Sequence, residues 1–80
     1  MPRRRHRDHR PTRPTWRCAA CGIAWPCSAA KLRLLGEYRH DRVALAVYLA
    51  TLLAEAGEHL TTVDPVRLAE RFLAWTRARG

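Results

Sequence analysis

All three cysteines of this 80-residue chain fall within ten positions, Cys18-Ala19-Ala20-Cys21-Gly22-Ile23-Ala24-Trp25-Pro26-Cys27. An odd number of thiols cannot close as an all-disulfide framework, so a disulfide would leave one thiol free. Cys18-x2-Cys21-Gly22 has the form of a zinc knuckle. Two intervening residues let both sulfurs face one ion, and the glycine permits the positive φ that turns backbone N–H groups toward sulfur. Cys27 follows five residues later, just ahead of a helical pattern, where the positive end of the helix dipole favours a negatively charged ligand. A thioredoxin-type Cys-x2-Cys needs a βαβ surround, which this pattern lacks, and iron-sulfur clusters usually take four cysteines. A structural zinc site is the reading that fits best.

Zinc in such a site takes four ligands, so one is missing from the cysteine count. The candidates are His6, His9, His40 and His59. His9 ranks first: the segment from Arg10 to Thr15 is long enough to fold back beside the knuckle, and ligation would account for the ordering of so polar a stretch. His40, at the break between two helices, ranks second. His6 reads as part of a solvated tail and His59 as a helix-end residue complementing the dipole. Residues 16–30 contain no Asp, Glu or His, so no general base stands near the cluster. The expected metal set is His9, Cys18, Cys21 and Cys27, with no catalytic residues.

Chain length points the same way. Eighty residues make one domain at most, near the size at which an apolar core alone stops being sufficient, and a bound metal is one remedy. The net charge of +8 is unevenly spread: seven arginines face Asp8 alone in residues 1–17, whereas the remainder is close to balanced. Residues 1–8 therefore read as a disordered basic tail, with too little apolar surface to offset ordering entropy. Arg3, Arg4, Arg5, Arg7, Arg10 and Arg13 are candidates for nucleic-acid contacts through phosphates, although no aromatic residue is interleaved among them. The basic start is not followed by an apolar run, which reads as cytoplasmic rather than secreted. Val43 to Ala54 is too short to span a bilayer.

Residues 9–27 are expected to form an extended, polyproline-like arm followed by the knuckle, with Trp16 and Trp25 packing around the metal. Residues 28–80 read as a three-helix bundle, making the fold all-α. Ser28 is the expected N-cap of a first helix, Ala29 to about Tyr38, with Leu32, Leu35 and Tyr38 on one face. Asp41 caps a second, from Arg42 to about His59, whose apolar residues cover so much of its circumference that neighbours should bury it on more than one side. Asp64-Pro65 starts a third, running to about Arg77, with Leu68, Ala69, Phe72, Leu73 and either Trp75 or Thr76 inside and Arg67, Glu70, Arg71 and Arg77 outside.

The run His9-Arg10-Pro11-Thr12-Arg13-Pro14-Thr15-Trp16-Arg17-Cys18, followed by Trp25-Pro26-Cys27, Asp41-Arg42-Val43-Ala44-Leu45-Ala46-Val47-Tyr48-Leu49 and Arg71-Phe72-Leu73-Ala74-Trp75-Thr76, resembles small actinomycete proteins. Some of these are labelled flavin reductase. The resemblance covers most of residues 9–77, and its defining pieces, His-x-Pro-x-Arg-Pro-x-Trp-x-Cys and Trp-Pro-Cys, imply ligand roles for His9, Cys18 and Cys27. Some such proteins lack the middle cysteine, so Cys21 rests on its spacing. The label implies a small redox protein, yet the chain contains no glycine-rich phosphate loop and too few residues for a barrel or doubly wound sheet. The combined expectation is a zinc-stabilised, non-enzymatic interaction or regulatory protein, pairing with another protein or with itself through the apolar second helix. A nucleic-acid-binding accessory protein is the alternative.

Overall fold

The computed structural model describes residues 8–77. Of the expected basic tail, all but Asp8 lies outside the described residues, including His6, Arg3, Arg4, Arg5 and Arg7. The elements are α1 (Ser28–Glu37), α2 (Arg42–His59) and α3 (Pro65–Leu73), followed by a 3-10 turn over Ala74–Thr76. The fold is all-α, three helices preceded by a cysteine-rich segment. Among the described residues the only strand-like features are two isolated antiparallel bridges, Pro11 with Cys18 and Arg17 with Ala24. No helix among them is long and apolar enough to cross a membrane.

Two helix starts follow directly from local chemistry. Asp41 Oδ1 accepts from the Ala44 N–H at 2.9 Å, and Asp64 Oδ1 from the Val66 N–H at 2.9 Å, with Pro65 opening α3. The first helix begins differently from expectation. Ser28 is its first helical residue and Cys27 holds the N-cap position, without a side-chain cap because its sulfur turns toward His9 and Cys18. The third helix is also shorter than expected. It tightens after Leu73, where the Thr76 hydroxyl donates to the Leu73 carbonyl at 2.7 Å and Arg42 Nη1 donates to the Thr76 carbonyl at 2.7 Å. Both bonds draw backbone carbonyls out of the regular ladder.

The core joins the helices to the cysteine-rich segment. Trp16, Cys18, Trp25 and Cys27 are buried together with Leu34, Leu45, Leu49, Leu68 and Phe72. α2 packs chiefly against α3, and a Tyr38–Tyr48 ring stack at 6.1 Å ties the end of α1 to α2. Only one stripe of α2 is covered, Leu45, Leu49, Leu52 and Ala56. The expectation of burial on several sides is thus corrected: Val43 and Val47 stay 75% and 61% exposed, and Ala46, Ala50 and Ala54 are exposed beside them. The cause is geometric: α3 and the segment carrying Trp16 pack on one side of α2, and the exposed residues run along the other. In α1 the buried residues are Ala30 and Leu34, so Leu32, expected inside, faces solvent.

Leu49→Ala is expected to cost about 2 to 5 kcal/mol, from lost burial plus a residual cavity, and Asp41→Ala about 1 kcal/mol, from the lost cap. Urea unfolding followed by far-ultraviolet circular dichroism measures both.

Candidate metal centre

The segment before α1 is built from short reversals, and this changes the expected path of the arm. Residues 12–17 do not run extended. The Thr12 N–H donates to the Arg17 carbonyl and the Trp16 N–H to the Thr12 carbonyl, both at 2.9 Å, and the Thr12 hydroxyl donates to the Arg17 carbonyl at 2.9 Å. The turn brings residues 9–11 back alongside residues 18 and 19, where the Ala19 N–H donates to the Arg10 carbonyl at 2.8 Å. Local hydrogen bonding by Thr12, through its backbone and its hydroxyl, outweighs the polyproline preference of the prolines. Closing the turn places Trp16 at a left-handed φ of 56°. For a bulky side chain that costs about 1 to 2 kcal/mol, offset by complete burial of its indole.

The knuckle follows the geometry its residue types suggest. Gly22 has φ +80°, its N–H donates to the Cys18 carbonyl at 2.8 Å, and the Cys21 N–H points at Cys18 Sγ at 3.3 Å. The Trp25 indole N–H donates to the His9 carbonyl at 3.0 Å, which fixes the backbone that carries the imidazole. His9 Nδ1 then stands 3.2 Å from Cys18 Sγ, 3.2 Å from Cys21 Sγ and 3.3 Å from Cys27 Sγ, while the Cys18 and Cys27 sulfurs are 3.6 Å apart. One ring nitrogen offers one proton or one lone pair, so it cannot serve three sulfurs equally by hydrogen bonding. Four donor atoms within 4.8 Å of one another instead describe the corners of a coordination shell. A tetrahedral ion with ordinary zinc bond lengths sets sulfur–sulfur edges of roughly 3.8 Å and sulfur–nitrogen edges of roughly 3.5 Å. The four residues can hold a metal ion, and their sulfurs form no disulfide.

The electrostatics of the free thiols suit that use. Burial of Cys18 acts to raise its pKa, but the N–H groups of Cys21 and Ala20, then the Cys27 and His9 side chains, outweigh it and lower the value from 9.0 to about 6. Cys21 moves the other way, to about 11, through desolvation and then through the neighbouring sulfurs of Cys18 and Cys27, which resist a second negative charge. A cation is what allows such thiolates to coexist.

The site is clamped to the helices from behind. Arg71 on α3 donates from Nε to the Trp25 carbonyl and from Nη2 to the Trp16 carbonyl, each at 2.8 Å. The Trp16 carbonyl also accepts the Trp25 N–H at 2.9 Å, so one guanidinium fork holds both tryptophan loops in register. Phe72 packs against both rings, with centroids 5.7 Å from Trp16 and 5.8 Å from Trp25. The Trp16 indole N–H donates to His59 Nδ1 at 2.9 Å. Arg13 lies over the Trp16 ring at 4.6 Å and pairs with Glu55, Nε to Oε2, at 2.6 Å; that hydrogen bond raises the Arg13 pKa and lowers that of Glu55.

The structure thus brings His9, Cys18, Cys21 and Cys27 together and leaves His40 exposed at the turn between α1 and α2. His59 is exposed at the end of α2, as expected of a helix-end residue, but it also receives the Trp16 bond. Of the arginines considered for nucleic acid, Arg10 sits 3.7 Å from Asp8 and Arg13 is engaged with Glu55 and Trp16. Arg71, expected outside, is half-buried, and burial lowers its pKa. Its spacing carried the signal, since it follows Leu68 by three residues and precedes Trp75 by four, one helical face. Compared with known proteins, the chain matches no family model, no curated protein and no solved structure.

Arg71→Ala is expected to destabilise by about 2 kcal/mol, leaving two carbonyls without their charged donor, with Arg71→Lys intermediate because an ammonium cannot fork to both. Thermal melts of the two variants measure the difference.

Proposed function

We propose that this chain is a zinc-stabilised, non-enzymatic interaction module. The observation that carries the metal half of the reading is the near-equal approach of His9 Nδ1 to three sulfurs, at 3.2, 3.2 and 3.3 Å. Three soft thiolates with one imidazole favour zinc over the oxygen-seeking cations. Four protein donors complete a tetrahedron and leave no open position for water or substrate, the mark of a structural rather than a catalytic zinc. The ion would be held by His9, Cys18, Cys21 and Cys27, and when bound it supplies a cross-link between the segment before α1 and the helices. In small zinc peptides that cross-link is worth about 10 to 16 kcal/mol of apparent folding energy. The motif shared with the actinomycete proteins includes three of these ligands, which supports the same set.

The interaction half rests on α2. Its outer face exposes Val43, Val47, Ala46, Ala50 and Ala54, more contiguous apolar surface than an isolated small domain gains from leaving in water. That face is where a protein partner, or the chain itself, would pack, with the zinc-stabilised core as its rigid support.

Native mass spectrometry with metal analysis tests the reading. One zinc per chain is expected, lost together with helicity on chelation. Cys18→Ser, Cys27→Ser and His9→Ala should each lose it; Cys21→Ser, at the exposed corner, should weaken binding with less loss of fold. Wild-type chain that purifies folded without metal, or carries an intramolecular disulfide in its place, would overturn the proposal.

A further inference from the structure

Resting on the reading of the cluster as a zinc centre, we infer that Cys21 is a site of modification by hydroperoxides, and that the disulfide it then forms with Cys18 expels the metal. Access divides the three sulfurs. Cys18 and Cys27 are 2% and 3% exposed, enclosed with Trp16 and Trp25, whereas Cys21 is exposed. The residues on either side of it lie open as well: Ala19, Ala20, Gly22, Ile23 and Ala24 are all exposed, and a Cβ added at Gly22 would meet nothing within 4 Å. Of the ligand cysteines, Cys21 is the one that a reagent from solvent meets first.

Exposure alone makes no site; the neighbouring sulfurs supply the rest. A metal-ligating sulfur is held as thiolate, the form that attacks electrophiles. Its first oxidation product, a sulfenic acid, condenses with a second thiol within reach. Such thiols are at hand, since the four donor atoms lie within 4.8 Å of one another. Of the two partners, Cys18 shares the turn with Cys21: the Cys21 N–H points at Cys18 Sγ at 3.3 Å, and the Gly22 N–H donates to the Cys18 carbonyl at 2.8 Å. Cys27 holds the N-cap of α1 behind the buried Pro26, so drawing its sulfur to Cys21 would disturb the start of that helix.

The chemistry balances with hydrogen peroxide as the oxidant. The Cys21 thiolate attacks one peroxide oxygen, the O–O bond breaks, and hydroxide leaves a sulfenic acid on Cys21. The Cys18 thiolate then attacks the Cys21 sulfur, the S–O bond breaks, and a second hydroxide leaves. The two sulfurs together lose two electrons to the peroxide oxygens, and solvent protonates both hydroxides. The disulfide removes two of the four ligands, and His9 with Cys27 does not fill a tetrahedral shell. The arm carrying His9 is then held beside the knuckle by the bonds from the Trp25 indole to the His9 carbonyl and from the Ala19 N–H to the Arg10 carbonyl. Oxidation thus unlatches that arm at its side chain.

The test treats full chain, purified under reductant, loaded with zinc and freed of both excesses, with stoichiometric hydrogen peroxide. A colorimetric chelator reads the released metal while fragment-ion mass spectrometry maps the sulfurs. Expected are one zinc released per peroxide consumed, a disulfide between Cys18 and Cys21, and, with dimedone present, its adduct on Cys21. Reduction with added zinc should return both metal and helicity. Cys21→Ser binds zinc more weakly, so it is judged by a ratio. Peroxide should leave its rate of zinc loss to the chelator unchanged, while speeding that of wild type by about tenfold or more. Where Cys21→Ser holds too little zinc to follow, the wild-type map decides. Zinc-loaded wild type that keeps its metal and its thiols, while free cysteine alongside is oxidised, overturns the modification site and leaves the zinc reading standing. Reduced, folded chain that takes up no zinc overturns the zinc reading and the modification site with it. Dimedone first on Cys18 or Cys27, or acceleration by peroxide retained in Cys21→Ser, overturns Cys21 as the point of entry. A disulfide between Cys21 and Cys27 overturns the choice of Cys18 as partner.

Discussion

Holding three sulfurs within about a hydrogen bond's reach of one imidazole nitrogen is the constraint from which most of this structure follows. Thiolates so close repel one another, and an imidazole cannot satisfy all three, so the cluster is one that could hold a cation. The chain meets the geometric part of that requirement by folding back twice. The reversal over residues 12–17 returns His9 to the knuckle, and the bend through Trp25 and Pro26 delivers Cys27 to the entrance of α1. Each reversal carries a tryptophan, and the two rings, packed edge-on and tilted against Phe72, turn the cysteine-rich segment into one wall of the core.

Arg71 links that wall to the helices. A guanidinium bonded to two carbonyls in a half-buried site is an uncommon use for a residue on the inner turn of a nine-residue helix, yet it answers a specific need. Irregular backbone packed against a core must have its carbonyls paired; the Trp16 carbonyl takes one bond from the Trp25 N–H, and the Arg71 fork adds a second to it and bonds the Trp25 carbonyl as well. One rigid fork does so for both. It also couples α3 to the ligand loops, which is why a change on that helix, remote in sequence from every cysteine, bears on the metal centre.

α2 serves both sides of the molecule. Its inner stripe supplies much of the helical core, while its outer face has no counterpart among the described residues because α3 and the segment carrying Trp16 lie on the inner side. A larger core would have buried that face. In a chain of this size that apolar surface stays exposed, while the cysteine-rich segment and α3 cover the opposite side of the same helix.

Much of this was legible in the residues themselves. Asp41 and Asp64-Pro65 determine where α2 and α3 begin, because caps act on the few N–H groups next to them and need no tertiary partner. The Cys-x2-Cys-Gly spacing likewise determines its own turn. That His9, rather than His40, joins the cysteines depends on how far the segment between His9 and Cys18 folds back. Tertiary structure alone decided the role of Arg71, the shortening of α3 at Thr76 and which side of α2 stays bare. These depend on pairing groups 34 to 55 residues apart, such as Arg42 with Thr76 and Arg71 with Trp16. Periodicity records which residues are apolar, but burial depends on which neighbours are long enough to reach them.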